Sequence, residues 1–309
     1  MGLSFAMMGG GLVLLLGGGE ALVRAAVALA QALRVPLLVI SVSFVAIGTS
    51  IPELAVAVQA VQQGHAELAL GNVIGSNVAN VLLVLGAVAL IRPLPMQAPG
   101  AARDVGVMLA ASLVLLALLW WGEMTRVVAV LMLLGGAAYL ASMFVGAADP
   151  PASDELQGLR LPGGLPVAGV ALLVGLGGVL LGTHWLLEGA TALARTAGLS
   201  EAVIGLSLIA LGTSLPELAI GILAARRGQA ALTLGNVLGS NISNIVWILG
   251  LAALFVPFSF APVFWRDGWL MLAVAAAAGW WVLGGRTLTR LQGAVCLALY
   301  AVWVILIYQ

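Results

Sequence analysis

Two glutamates, Glu53 and Glu217, stand in the middle of strongly apolar stretches. In a chain that crosses a membrane, an acidic side chain at the bilayer centre costs about 2.5–3.5 kcal/mol on insertion scales, so an acid at this depth needs a compensating role. Two carboxylates together neutralise one divalent cation, and Ca²⁺ takes about six to eight oxygen ligands. The pair of glutamates therefore predicts a cation site inside the membrane.

Each glutamate ends the same short motif, Gly-Thr-Ser-x-Pro-Glu. The two hydroxyls stand four and three residues before the carboxylate, which places all three side chains on one face of a helix. Proline lacks the backbone donor and disfavours helical geometry in the residue before it. We therefore expect the carbonyls of Ala46 and Ala210 to lose their helical partners and to face a polar cavity. The hydroxyls belong to Thr49 and Ser50 in the first copy and to Thr213 and Ser214 in the second.

A second motif, Gly-Asn-x-x-Gly-Ser-Asn-x-x-Asn, follows each of these segments. Ser76 and Asn80 are four residues apart, as are Ser240 and Asn244, so each pair shares a helix face. Their hydroxyl and amide oxygens are neutral, hard ligands suited to Na⁺ or Ca²⁺. The remaining polar and small residues of the motif fit either the site or close packing between helices. They are Gly71, Asn72, Gly75, Asn77, Gly235, Asn236, Gly239 and Asn241.

The two motifs form an internal repeat. Gly48–Gly86 and Gly212–Gly250 are identical at 21 of 39 positions without a gap, at a constant offset of 164, and the identities include the polar residues. Five predicted spans separate equivalent positions, and an odd number means that the second copy runs through the membrane upside down. Inverted repeats with the substrate site near the midplane are the plan of many secondary transporters.

The elements that must position these motifs are membrane spans. Of 309 residues, 62% are hydrophobic and 8% charged, with a mean hydropathy of +1.17, whereas about a quarter of a soluble domain is charged. Apolar runs of about 20 residues per crossing predict an all-α polytopic membrane protein with about ten transmembrane helices. The predicted spans are Leu3–Ala32, Pro36–Gln62, Leu68–Ile91, Val105–Trp121, Val127–Ala147, Leu165–Ala194, Ala202–Ala225, Ala231–Val256, Trp269–Leu283 and Leu288–Ile307.

One long polar stretch, Asp149–Gly164, separates two sets of five spans. It predicts a first five-helix repeat over residues 1–148, a linker over 149–164 and a second, inverted five-helix repeat over 165–309. Short cytoplasmic loops carry the excess of basic residues. With the N-terminus outside, eight arginines fall in inside loops and three in outside loops, which predicts that both termini are outside.

Composition also excludes several classes of function. The chain has no lysine and no basic tract, which argues against a nucleic-acid partner. One cysteine and two histidines cannot assemble a disulfide or a zinc or haem site, so we expect no cofactor. Glu20 and Arg24, four apart on the first span, are interpreted as a structural salt bridge, and His184 and Glu188, near the end of the sixth span, as a satisfied interfacial pair. The expected partners are Ca²⁺, Na⁺ and the lipid bilayer, with no protein partner evident.

The doubled pattern GTSxPE and GNxxGSN resembles the two alpha repeats of the cation/calcium exchanger superfamily, most closely its sodium/calcium exchanger branch. The resemblance implies a cluster of four ion sites in which Glu53 and Glu217 bridge the central positions. Some sodium/calcium exchangers carry an aspartate at one of the positions of Asn80 and Asn244, so asparagine at both leaves the coupling ratio open. The ligands implied are Thr49, Ser50, Ser76, Asn80, Thr213, Ser214, Ser240 and Asn244, with the carbonyls of Ala46 and Ala210.

The leading hypothesis is a secondary antiporter that exchanges Ca²⁺ for Na⁺ at one shared site by alternating access, not an enzyme. The glycine-rich first and sixth spans are expected to slide as a unit against the rest. The alternatives are exchange of Ca²⁺ or another cation for H⁺, a passive channel and, more remotely, an intramembrane hydrolase that uses the carboxylates for acid/base chemistry. The compact, all-arginine chain fits a prokaryotic plasma membrane.

Overall fold

The computed structural model describes residues 2–145, 164–198, 212–260 and 264–307. Ala210, the first half of the predicted seventh span and the linker before Gly164 lie outside these ranges. Within them the chain is almost entirely helical, as lipid requires, because a helix satisfies its backbone polar groups internally.

The described ranges contain eleven helical segments, of which α2 and α3 form one bent span. Six helices are long and apolar enough to cross a membrane, and the bent pair makes a seventh. The chain is a polytopic membrane protein. The segments are α1 Gly2–Leu33, α2 Leu37–Thr49, α3 Ile51–Gln62, α4 Ala66–Ile91, α5 Ala101–Trp121, α6 Arg126–Val145, α7 Gly164–Thr196, α8 Leu215–Arg226, α9 Ala230–Phe255, α10 Trp265–Leu283 and α11 Arg290–Ile307.

The break between α2 and α3 lies in the first motif. The two helices are bent by 45° at Ser50, whose backbone leaves helical geometry at φ −82° and ψ 8°. Pro52 stands in the first turn of α3, where its missing N–H is tolerated. Glu53 is in the same turn, so the break places the carboxylate at a helix N-terminus. Ser214 and Pro216 begin α8 in the same way, with φ −87° and ψ 0° at Ser214.

Two short antiparallel strand pairs depart from the all-α prediction in the part of the chain that is described. Strand β1 (Leu94–Pro95) pairs with β4 (Thr287–Leu288), and β2 (Glu123–Met124) pairs with β3 (Phe258–Ser259). An offset of 164 converts β1 into β3 and β2 into β4. Strands β1 and β2 lie at opposite ends of α5. Strand β1 pairs with β4, the equivalent of β2, and β2 pairs with β3, the equivalent of β1. This arrangement is the one expected for two repeats of opposite orientation.

Helix α1 packs lengthwise on α7 through glycines. A Cβ on Gly182 would lie 2.4 Å from the backbone nitrogen of Leu15, and a Cβ on Gly18 would lie 2.6 Å from that of Val179. Both distances are shorter than any tolerated contact, so only glycine allows the two backbones this close. The interface glycines recur every seven residues in each helix: Gly11 and Gly18 in α1, and Gly175, Gly182 and Gly189 in α7.

Helices α4 and α9 form the centre of the bundle. Both are largely buried, whereas α6 is largely exposed. The second motif occupies these two central helices, and its polar residues are buried except Asn72, which is half-buried.

Candidate ion-binding site

The two glutamates meet inside the bundle. Glu53 and Glu217 are each 1% exposed, and their carboxylates lie close enough to interact electrostatically. Each carboxylate also neighbours a hydroxyl of the other repeat: Thr213 lies beside Glu53, and Thr49 lies beside Glu217. The two copies of the first motif therefore build one shared cluster and not two separate sites.

The second motif adds buried serines and asparagines from both repeats. Ser76 and Asn80 on α4 are buried, as are Ser240 and Asn244 on α9. The α-helical path gives way to a π-helical segment that starts at Asn80, and the same change occurs at Asn244. A π-helical turn frees backbone groups from the usual hydrogen-bond pattern and is common at functional sites.

Ser240 and Asn72 contact the glutamates directly. The Ser240 hydroxyl donates to Oε1 of Glu217 at 3.2 Å. The Asn72 amide donates to the backbone carbonyl of Glu53 at 3.3 Å. Both contacts join the first motif to the second within one repeat.

A set of buried oxygens in this cluster has no hydrogen-bond partner in the described part of the chain. Burying a polar atom without a partner costs roughly 1–3 kcal/mol, so a set of such atoms in one place indicates a binding site for a ligand that accepts their lone pairs. Oxygens from carboxylates, hydroxyls and amides are the donor set that Ca²⁺ and Na⁺ prefer. The seven atoms are Ser50 Oγ, Glu53 Oε2, Asn80 Oδ1, Thr213 Oγ1, Ser214 Oγ, Glu217 Oε2 and Asn244 Oδ1.

The prediction that the Ala46 carbonyl loses its helical hydrogen-bond partner is wrong. This oxygen keeps its helical partner, the Ser50 backbone N–H at 3.1 Å, and also lies 3.2 Å from the Thr49 hydroxyl. Proline removes the donor that would bond to the residue four positions earlier, and for Pro52 that residue is Gly48. The oxygen thus accepts from two donors, and an ion bound to it would take the place of the Thr49 hydroxyl.

The glycines of the second motif behave differently in the two copies. A Cβ on Gly239 would lie 2.7 Å from Cβ of Ala46, and a Cβ on Gly235 would lie 2.7 Å from Cβ of Ser41. Helix α9 therefore approaches α2 as closely as the small residues predict. Gly71 and Gly75 have ordinary contacts, the nearest at 3.5 Å and 3.8 Å.

The structural pairs are present, and one has a member that sequence reasoning missed. Arg24 Nε donates to Glu20 Oε1 at 2.7 Å, and His184 Nε2 lies 3.4 Å from Glu188 Oε2. Arg227, at the end of α8, also donates to Glu20, with its Nε 3.2 Å from Oε2. A contact across 207 residues leaves no signal in local spacing.

Broken helices that bring carboxylates and unpartnered oxygens together inside an inverted repeat define the class of secondary transporters. The sequence signature of the family described as sodium/calcium exchanger protein matches residues 3–145 and 167–309, which is most of the chain. The chain belongs to the sodium/calcium exchanger family.

Individual relatives agree along nearly the whole length. The inner membrane protein YrbG of Escherichia coli is 36% identical over 277 residues, covering 86% of this chain and 84% of that protein. The sodium/calcium exchanger MaX1 of Methanosarcina acetivorans is 31% identical and covers 96% of each chain. A solved structure of the sodium-calcium exchanger NCX_Mj, soaked with 10 mM Na⁺ and no Ca²⁺, superposes with a TM-score of 0.85 at 29% identity, covering 98% of both chains.

Proposed function

We propose that the protein exchanges Na⁺ for Ca²⁺ by alternating access at the cluster around Glu53 and Glu217. The observation that carries the proposal is the set of seven buried oxygens that both repeats contribute to one place and that find no hydrogen-bond partner among the described residues. The proposed ligands are the side chains of Glu53, Glu217, Thr49, Ser50, Ser76, Asn80, Thr213, Ser214, Ser240 and Asn244, with the carbonyls of Ala46 and Ala210.

The charge of the cluster explains why the two ions must alternate. Two carboxylates balance one Ca²⁺, and the other ligands are neutral. A Ca²⁺ ion and a full load of Na⁺ would together bring more positive charge than the carboxylates can offset in a medium of low dielectric constant. Binding of one load therefore excludes the other, and the protein couples their movements.

The packing of α1 on α7 supports the proposed movement. These two helices contact each other along most of their length through glycine, so they can move together while keeping their own interface. Sliding of packed helices past the rest of a bundle is a recognised shear motion. Such a slide would open the cluster first to one side of the membrane and then to the other.

The relatives support both the ions and the location. MaX1 is named a sodium/calcium exchanger, and the NCX_Mj structures include crystals soaked with Na⁺, Ca²⁺ and Sr²⁺. YrbG is named an inner membrane protein of a bacterium, and MaX1 comes from an archaeon. The protein is an integral membrane protein of the prokaryotic plasma-membrane type. The proposed domains remain two five-helix repeats, 1–148 and 165–309, joined by the linker 149–164.

The proposal is tested by measuring which ion gradient drives Ca²⁺ uptake. Purified protein in liposomes should take up ⁴⁵Ca²⁺ when the liposomes are loaded with Na⁺ and diluted into Na⁺-free buffer. Loading with K⁺ of equal ionic strength should give no uptake above that of protein-free liposomes. Uptake that follows a pH gradient in the absence of Na⁺ would instead establish H⁺ as the coupling ion. Linear, unsaturable Ca²⁺ flux that depends on neither a Na⁺ gradient nor a pH gradient would establish a channel.

A further inference from the structure

Four asparagines meet where the central helices α4 and α9 cross. Asn77 and Asn80 come from α4, and Asn241 and Asn244 come from α9. Each is at most 2% exposed. The proposed ligand set uses only Asn80 and Asn244, so the role of the other two is still open.

The contacts of Asn77 determine which way round its amide lies. Its Nδ2 is 3.3 Å from the backbone oxygen of Asn241 and 3.5 Å from the sulfur of Met271. A carbonyl oxygen and a thioether can only accept hydrogen bonds, so the NH₂ end must face them. The Oδ1 end must then face Asn244, whose Nδ2 lies 3.0 Å away.

Asn241 repeats this arrangement from the other side. Its Nδ2 is 3.3 Å from the backbone oxygen of Asn77 and 3.6 Å from the sulfur of Met108. Its Oδ1 accepts from Asn80 Nδ2 at 3.0 Å. Each repeat thus holds the ligand asparagine of the other repeat.

The orientation of the two ligand amides follows by elimination. An acceptor can bind only the NH₂ end, so Nδ2 of Asn80 faces Asn241 and Nδ2 of Asn244 faces Asn77. The opposite ends, Oδ1 of Asn80 and Oδ1 of Asn244, are both buried without a partner in the described ranges. We propose that Asn77 and Asn241 are positioning residues that turn these two oxygens toward the transported cation. This inference rests on the ion site proposed above.

These hydrogen bonds from Asn77 and Asn241 matter because both proposed ligand positions, Asn80 and Asn244, carry an amide. The two ends of an amide have nearly the same size but opposite character, and a half-turn would present an NH₂ donor to a cation. A carboxylate at the same position has two equivalent oxygens and needs no such orientation. The chain therefore depends on Asn241 for the affinity that Asn80 confers, and on Asn77 for that of Asn244.

The experiment compares one substitution in two backgrounds. Loss of one orienting hydrogen bond in Asn241→Ala should weaken the Ca²⁺ affinity of the purified protein about tenfold by titration calorimetry. In the Asn80→Asp background, the same Asn241→Ala change should leave the affinity unchanged or raise it, because either oxygen of the aspartate can face the ion. An equal loss in both backgrounds would show that Asn241 only packs the helices and would overturn the proposal.

Two further variants keep the test decisive. If Asn241→Ala gives no monodisperse protein, Met108→Leu keeps the side-chain volume, removes one of the two acceptors of Asn241 Nδ2, and should show a smaller loss that again disappears with Asn80→Asp. Asn80→Ala tests the ion site itself: unchanged Ca²⁺ affinity would remove Asn80 from the site. The remaining outcome is that Asn80→Ala lowers the Ca²⁺ affinity and that Asn241→Ala lowers it equally with and without Asn80→Asp. That outcome would keep Asn80 in the ion site and overturn only the positioning role of Asn241.

Discussion

Helices α1 and α7 occupy equivalent places in the repeat but have different surroundings. In α1, eight of the nine residues of Leu22–Ala30 are buried. In the equivalent segment of α7, Leu186–Ala194, two of nine are buried, Gly189 and Ala194. The buried half of α1 packs against α2 and α8 as well as α7. Within the described ranges, α1 and α7 therefore have different surroundings beside a symmetric candidate site.

The polar pairs of the two helices show the same difference. Glu20 of α1 contacts both Arg24 and Arg227, which fastens α1 to the end of α8. The equivalent residues of α7, His184 and Glu188, are 69% and 58% exposed and pair with each other. The difference is the one expected if the structure represents one state of an alternating-access cycle. In an inverted repeat, the opposite state exchanges the surroundings of the two halves.

The largest expected effect tests whether the site is as symmetric as it looks. Glu53→Gln and Glu217→Gln should each reduce Na⁺-driven ⁴⁵Ca²⁺ uptake about a hundredfold or more, because each removes one of two charges buried with the cation. Glu67→Gln, at an exposed position, is the control and should transport normally. Full flux in both variants would remove the glutamates from the site, and full flux in one would end the symmetric description.

A smaller effect is expected at the interface of α1 and α7. Gly182→Ala places a Cβ within 2.4 Å of the α1 backbone and should cost about 1–3 kcal/mol through overpacking. Gly177→Ala, in the same helix, meets nothing within 4 Å and serves as the control. We expect a lower thermal unfolding temperature in detergent and slower exchange for Gly182→Ala alone. Equal behaviour of the two variants would mean that the helices are not held at this distance.

The smallest effect concerns the ion pair that fastens α1. Arg227→Gln removes the contact with Glu20 and should loosen the buried half of α1. In a Cys296→Ser background, the thiol-labelling rate of Ala26→Cys should then rise about 1.5- to 5-fold, the range expected for a partly exposed ion pair. Arg226→Gln removes the neighbouring charge and should leave the labelling rate unchanged. If both substitutions raise the rate equally, net charge at this end is responsible and not the contact with Glu20.

The sequence predicted much of the fold, because its signals are local. Apolar runs place most described helix ends within a few residues, and the prolines at 52 and 216 indicate where the spans break. The first helical turn of α5 was missed, since Ala101–Asp104 carries two charges and no apolar run. The strand pairs were missed as well, because two residues are too few for any periodicity.

For the candidate site, the sequence predicted polar residues that the structure brings together, but it did not predict their contacts. The helix-face argument grouped Ser240 with Asn244, and the structure buries both. It could not distinguish packing from function for Asn77 and Asn241, since their roles depend on contacts across 164 residues. The π-helical turns at Asn80 and Asn244 also have no signature in apolar spacing.

The two strand pairs have a mechanical consequence. They tie the loops of the first repeat to those of the second at both ends of α5. If one half rocked as a rigid body against the other, it would strain these ties at both membrane surfaces at once. These ties join α4–α6 to α9–α11, so we expect those six helices to stay together during exchange. We expect α1 and α7, which lie outside the ties together with α2, α3 and α8, to be the helices that move.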